Sequence, residues 1–438
     1  MAYGLLVFLS APACDGARAV SAQDVLDIST VWSGHPVGFS LLTDGDGQYV
    51  AFYDQERRMT VARRRLDERR WQFKQLDSVL GWDSHNYVTM ALDEQGHLHI
   101  SGNMHVGPLV YFRTEHAGDI QSLQGIPAMV GVLENRCTYP RFMKGAAGEL
   151  IFTYRDGASG RGNQIYNVYD WRRRTWRRLL DTPLLDGRGA MNAYPVGPTR
   201  GPDGFFHLCW VWRDTPDCST NHDVSYARSR DLVHWETAGG LPVDLPMTIE
   251  TKGVVVDPVP AGGGSINGNT RVGFDSEKRP IVTYHKFDAQ GNTQIYNARY
   301  EGTDWHIYQV SDWDYRWDFQ GGGSIEFEVR VSAVRAHTDG SLTQKYSRKE
   351  YRAGVWTLDE ATLRPVAETA QRPRWPAALA RPESGFPGMT VRWCHDSGGS
   401  SEPGVRYVLR WETLGPNRDR ARDVAPPASM LRLYRLSD

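Results

Sequence analysis

The chain is poor in cysteine: 438 residues contain five, Cys14, Cys137, Cys209, Cys218 and Cys394. Five is too few for a disulfide scaffold, and an odd number leaves the redox compartment open. An excess of one charge is also missing. Fifty Lys and Arg stand against 52 Asp and Glu, a net charge of -2, so no global basic field points to nucleic acid. The only apolar run near the start is Leu5 to Leu9, and no stretch elsewhere is long enough to span a membrane. No long amphipathic helix is legible either.

What is present is a repeat. A short apolar strand ends in a Gly-bearing turn, a second strand follows, then a Tyr/Val-x-x-Arg segment and a Trp-bearing strand. Gln164-Ile165-Tyr166-Asn167 leads to Trp171 and Trp176, and Gln294-Ile295-Tyr296-Asn297 leads to Trp305. A strand-rich period of roughly 50 residues marks a β-propeller. The expectation is an all-β, seven-bladed propeller of four-stranded antiparallel blades, forming one domain over residues 24–438. Fifteen Trp and twenty Tyr suit such strands, and apolar pyranose faces would also use them.

The units run from His35 to Leu76, Asn86 to Leu123, Tyr139 to Leu180, Tyr194 to Gly240, Arg271 to Val310, Ser324 to Leu363, and Met389 to the C-terminus. Ser229-Arg230-Asp231-Leu232-Val233-His234-Trp235 reads as a degenerate Asp-box turn. Residues 245–269 read as an inter-blade loop covering one face, and 364–386 as a surface connection. Residues 1–23 read as a candidate signal segment without a basic start. That leads to an expectation of a secreted or periplasmic protein, with a cytoplasmic one as the alternative.

Three successive units place different polar residues at equivalent strand edges. His85 and His105 flank the first strands of one unit, Tyr139 and Arg155 those of the next, and Tyr194 enters the third. Asn86 and Asn192 lie beside them as candidate substrate contacts. A purely structural repeat would tend to keep one residue there. His and Tyr can exchange protons, and Arg can neutralise a carboxylate, which is what abstraction of the C5 proton of a uronate needs. No paired carboxylates stand at the same edge, as most glycoside hydrolases require. A second cluster, His207, Cys218, His222 and His285, has ligand types suited to a closed zinc site. Hydrogen-bonded histidines with a free thiol, or a Cys209–Cys218 disulfide, account for the same residues.

Gly81-Trp82-Asp83-Ser84-His85-Asn86, Ser101-Gly102-Asn103-Met104-His105, Thr138-Tyr139-Pro140, Tyr154-Arg155-Asp156-Gly157 and Trp212-Arg213-Asp214-Thr215-Pro216 resemble the BNR-4 propeller group. That group includes the ulvan lyases of polysaccharide lyase families 24 and 25. The resemblance spans roughly residues 30 to 310. It implies a seven-bladed propeller that cleaves a rhamnose–uronate glycan by β-elimination and leaves a 4,5-unsaturated uronate. It assigns His85, His105, Tyr139, Arg155 and Tyr194 to the cleft, with Arg155 on the carboxylate. It also implies a structural zinc on His207, Cys218, His222 and His285, no organic cofactor, an anionic polysaccharide partner and a monomer. An α-L-rhamnosidase or another hydrolase, and a non-catalytic carbohydrate-binding propeller, are the rival readings of the same residues.

Overall fold

The computed structural model describes residues 21–437 except 352, 372–373 and 400–401. Residues 1–20, the body of the candidate signal segment, lie outside the described residues. The first strand begins at Ser21, inside the span read as the end of that segment.

The chain is all-β and propeller-like. Among the described residues, hydrogen bonding groups the strands into seven sheets, most of them four-stranded antiparallel meanders. The first sheet is built from Ser40–Asp44, Gly47–Tyr53, Arg58–Arg65 and Gln72–Val79. The second is built from Val88–Leu92, Leu98–Gly102, Tyr111–Thr114 and Leu123–Gly125. The leading strands of the third to seventh sheets are Cys137–Lys144, Asn192–Arg200, Arg271–Phe274, Val329–Val331 and Met389–His395. Ser40–Asp44 packs against both Met389–His395 and Val88–Leu92, and Val88–Leu92 packs against Cys137–Lys144, so leading strands meet leading strands.

Burial explains the sequence pattern. Gly47–Tyr53 and Phe206–Arg213 are buried along their whole length because neighbouring sheets cover both faces, so they read as nearly continuous apolar runs. One apolar cluster runs from Leu409 and Leu431 in the last sheet through Phe52 and Val61 in the first to Ile100 in the second. The repeated Asn167 and Asn297 are fully buried. Asn297 accepts from Thr283 Oγ1 at 2.6 Å and donates to Gln344 at 3.0 Å, so it ties the fifth sheet to the sixth. The Asp-box reading holds locally: Asp231 Oδ1 accepts from the backbone N–H groups of Val233 and His234, each at 2.8 Å.

Three connections differ from the sequence reading. The last sheet does not end with the C-terminal strand. Ser21–Val31 pairs antiparallel with Ser429–Ser437, from Ser21 opposite Ser437 to Val31 opposite Ser429, and covers an edge that would otherwise be open. Residues 364–386 are not all surface connection, because Pro365–Ala370 forms the outer strand of the sixth sheet. Within 245–269, Val255–Asp257 pairs with Asn221–Ser229, and Asn269 hydrogen-bonds Val329 and Val331. No helix is long and apolar enough to cross a membrane among the described residues.

Candidate active site

His85 sits in the turn ahead of Val88–Leu92. Asp83 Oδ1 accepts the His85 backbone N–H at 2.8 Å, an Asx turn that aims the histidine, and it also lies 2.7 Å from His85 Nδ1. The other oxygen of Asp83 bonds His105 Nδ1. One carboxylate therefore holds both imidazoles by the same ring nitrogen, and the rings stack with centroids 4.3 Å apart. His105 reaches this place by a route the sequence did not suggest. It opens its own short strand, His105–Gly107, which pairs with Cys137–Lys144 of the third sheet.

The backbone around these groups is strained. Asn103, Val106 and Tyr139 have φ of 57°, 56° and 59°, a region that a β-branched or bulky residue rarely visits. Tyr139 occupies the register shift between Thr138 and Arg141, a bulge that redirects its side chain. The Val106 N–H donates to Thr138 Oγ1 at 2.8 Å and fixes the short strand against the bulge.

Tyr194 lies on the leading strand of the fourth sheet, with its ring centroid 6.2 Å from that of Tyr139. Its hydroxyl accepts from Arg155 Nη1 at 3.4 Å and Arg213 Nη1 at 3.3 Å, and Ser159 Oγ lies 2.8 Å away. Arg155 is 2% exposed, stacks over both tyrosine rings and donates to Thr138 Oγ1 at 3.1 Å. It makes no ion pair among the described residues, and its Nε is without a partner. A buried guanidinium without a carboxylate is costly, and the Thr138 and Tyr194 oxygens are the side-chain acceptors that offset it.

His85, His105, Tyr139, Ser159, Tyr194 and Arg213 line one cavity of about 470 Å³, and Gly322, Gly323, Ser324, Ile325 and Phe327 are also on its wall. No Asp or Glu is on its wall. Arg155 is not on it; it lines an adjoining cavity of about 270 Å³ that shares Tyr139 and Tyr194 with the first, and the guanidinium that reaches the larger one is Arg213. Asn192 is fully buried, donates to the Ala193 carbonyl and accepts from the Gly160 N–H, so it supports the Ser159 turn and does not face a ligand. Asn86 is off the wall as well, and its Oδ1 is buried without a partner.

The electrostatics separate these groups. Burial by itself would lower the pKa of His85, but the hydrogen bonds to Asp419 and Asp83 reverse this and raise it to about 9. Burial opposes ionisation of Asp83 and Asp419 too, yet the histidine bonds hold both carboxyls well below the usual range. Burial pushes Tyr139 up, so it stays a neutral phenol. Burial pushes Tyr194 the same way, but Arg213 and Arg155 outweigh it and its pKa is lowered.

The expected metal ligands are not gathered. His207 lies at the far end of its strand from Arg213, with Nδ1 2.6 Å from the Tyr226 hydroxyl and Nε2 2.9 Å from Asp203. His222 is held between Asp214 at 3.0 Å and Asp223 at 2.8 Å. His285 is fully buried against Trp317 with both ring nitrogens unpartnered, and Cys218 reaches the cavity wall. Among the described residues the one group of three ligand-type atoms within 4.8 Å of one another is Asp83, His85 and His105. There each Nδ1 already faces its own Asp83 oxygen, the geometry of hydrogen-bonded ion pairs. The four residues named for zinc therefore do not fit a closed site. Cys137, Cys209, Cys218 and Cys394 are all free thiols, so the Cys209–Cys218 disulfide is absent.

Ser159, Asp419 and the wall residues between 322 and 327 escaped the sequence reading, and Asp83 and Arg213, although part of the motifs, were given no role in the site. Arg213 had a signal: Tyr154-Arg155-Asp156 and Trp212-Arg213-Asp214 repeat one pattern at the ends of second strands in adjacent sheets. Asp83 had one too, two residues before His85.

Solved structures resemble this chain over most of its length. The crystal structure of polysaccharide lyase Uly1 matches with a TM-score of 0.62 at 11% identity, covering 95% of this chain and 99% of that one. A PL25 ulvan lyase matches with a TM-score of 0.60 at 14% identity, covering 92% and 94%. The same kind of enzyme bound to -[GlcA(1-4)Rha3S]- matches with a TM-score of 0.59 at 13% identity, again covering 92% and 94%. At these identities the likeness is one of fold. No curated protein matches the sequence. The model of the BNR repeat-containing family matches residues 47–313, more than half of the 438 residues and the whole span from His85 to Arg213, and the chain belongs to that family.

Proposed function

We propose that this protein is a polysaccharide lyase, a single seven-bladed propeller that cleaves a rhamnose–uronate glycan by β-elimination outside the cytoplasm. The observation that carries this reading is the make-up of the cavity wall: two histidines, two tyrosines and an arginine, with no carboxylate. Most glycoside hydrolases need a pair of carboxylates at the scissile bond, whereas a lyase needs cations and proton carriers.

The chemistry maps onto the groups as follows. Arg213, with cationic His85 on the same cavity wall, receives the uronate carboxylate and stabilises the charge that builds on it as C5 loses its proton. Arg155 acts from behind by holding the Tyr194 oxygen. Tyr194, ionised to the phenolate that Arg213 and Arg155 favour, accepts the C5 proton and becomes the neutral phenol. The C5–H electrons form the C4=C5 double bond as the C4–O4 bond breaks. O4 takes a proton from the Nε2–H of His85 or from the neutral Tyr139 phenol. The new end is a 4,5-unsaturated uronate. The fold likeness to ulvan lyases, one of them holding a glucuronate–rhamnose 3-sulfate repeat, supports a substrate of that class.

The test is product analysis with purified protein on uronate-containing polysaccharides. The ultraviolet absorbance of a conjugated unsaturated uronate should grow with time. Free rhamnose without that absorbance would replace the reading with a hydrolase. Binding without any product would replace it with a carbohydrate-binding propeller.

A further inference from the structure

Three distant parts of the chain meet at one carboxylate. Asp419 lies in the connection between strands Val405–Leu414 and Ser429–Ser437 of the last sheet. Its Oδ1 accepts from the Ser84 backbone N–H at 3.1 Å and the Ser84 hydroxyl at 2.6 Å. Its Oδ2 accepts from the Ser324 N–H at 2.9 Å and lies 3.2 Å from His85 Nδ1. The side chain is 11% exposed. Next to it, Arg418 donates from Nη1 to the carbonyls of Gln320 at 2.8 Å and Gly322 at 3.1 Å.

The backbone is built for this contact. Arg418 and Asp419 are consecutive non-glycine residues at φ of 54° and 57°. A Cβ on Gly323 would lie 2.6 Å from the Arg418 carbonyl oxygen, so the two segments approach as only glycine allows. The same segment is tied to the fourth sheet: the Cys218 N–H donates to Gly321 O at 2.9 Å, and the Gly321 N–H donates to Asp217 Oδ1 at 2.8 Å. Gly322, Gly323 and Ser324 are wall residues of the cavity. His85 is thus faced by Asp83 from its own turn, Asp419 from the last sheet, the stacked His105 at 4.3 Å and the Tyr139 ring at 5.7 Å.

We propose that Asp419 is a positioning residue of the candidate active site. Together with Asp83 it holds Nδ1 of His85, and together with Arg418 it fixes the segment 320–324, which supplies Gly322, Gly323 and Ser324 to the cavity wall. The loop between the last two strands then completes a site whose other polar groups stand at the second, third and fourth sheets. The catalytic meaning of this latch rests on the lyase reading; the latch itself does not. With Nδ1 held from two sides, Nε2 is the ring nitrogen left to face a ligand.

The test is an NMR titration of the histidine side chains in full-length wild type, D419N and R418A. In D419N the His85 titration should move to lower pH by about one unit or more, because one of its two carboxylates is gone. In R418A it should stay in place while amide exchange at 320–324 speeds up. If D419N does not fold, S84A removes the hydrogen bond that orients Asp419 and should move the titration the same way. A His85 titration unmoved in the folded variant overturns the proposal. No substrate enters this measurement, so a failed lyase assay leaves its outcome intact. Where turnover is detected, D419N should lower kcat far more than it changes KM, and D419E should restore part of it.

Discussion

Tyr139 and Tyr194 face one another edge-on, with ring centroids 6.2 Å apart, and their surroundings drive their acidities in opposite directions. Burial raises the pKa of Tyr139, whereas the guanidiniums of Arg213 and Arg155 lower that of Tyr194 against the same burial. Two like groups split in this way suit a donor and an acceptor in one cavity.

Tyr194→Phe removes the proposed acceptor but keeps the ring that packs against Arg155. Turnover should fall by ~10²–10⁴-fold, the usual weight of a general base, with little loss of fold. Tyr139→Phe should cost at least ~10²-fold. Initial rates and melting curves of both variants check this, and near-wild-type rates in both would remove the tyrosines from the chemistry.

The two arginines should fail differently. Arg213→Ala deletes the guanidinium on the cavity wall and should raise KM as well as lower kcat. Arg155→Ala should abolish turnover without exposing an unpaired carboxylate, so its stability loss should be that of a buried truncation, roughly 1–3 kcal/mol. Steady-state kinetics of the first and thermal unfolding of the second check this. Full activity in Arg155→Ala would strike it from the mechanism.

Asp83→Asn keeps the shape and removes the charge that both imidazoles share. His85 should then titrate lower, and activity should drop by at least ~10²-fold at neutral pH. Histidine NMR together with rate measurements decides it. Unchanged values would mean that Asp83 merely shapes its turn.

Stability should fall as the solution turns alkaline. The pKa of His85 is raised in the fold, so its contribution is complete below about 6.5 and is lost as pH rises through about 9. Asp83 and Asp419 are depressed, so theirs is present above the ordinary carboxylate value of about 3.9 and is lost in acid. The alkaline loss should be at most about 3 kcal/mol, since imidazole and carboxylates are one linked set. Urea unfolding from pH 6 to 10, compared between wild type and His85→Asn, checks the direction. Equal slopes would refute it.

Much of the site was legible because the repeat puts equivalent strand edges together. His85, His105, Tyr139 and Tyr194 do share a cavity. Arg155 lines an adjoining cavity with Tyr139 and Tyr194; sequence shows which strand edge a residue occupies but not which of two neighbouring cavities its side chain enters. Arg213 was read as part of a motif but given no role, although it repeats the Arg155 pattern. The four residues named for zinc are not gathered, because His207 sits at the opposite end of its strand from Arg213, and strand-end identity cannot be read from residue type.

Sequence alone determined the sheet-forming period, the alternation of strands and turns, and the edges at which polar residues cluster. These are local properties, set by side-chain periodicity and by the turn chemistry of Gly, Asn and Asp. Tertiary structure alone decided three things: the pairing of Ser21–Val31 with Ser429–Ser437, the wall at 322–327 and the reach of Asp419 to His85. Each joins residues hundreds of positions apart. Such contacts come from the way the sheets are arranged around one another, and no local pattern in the chain encodes them.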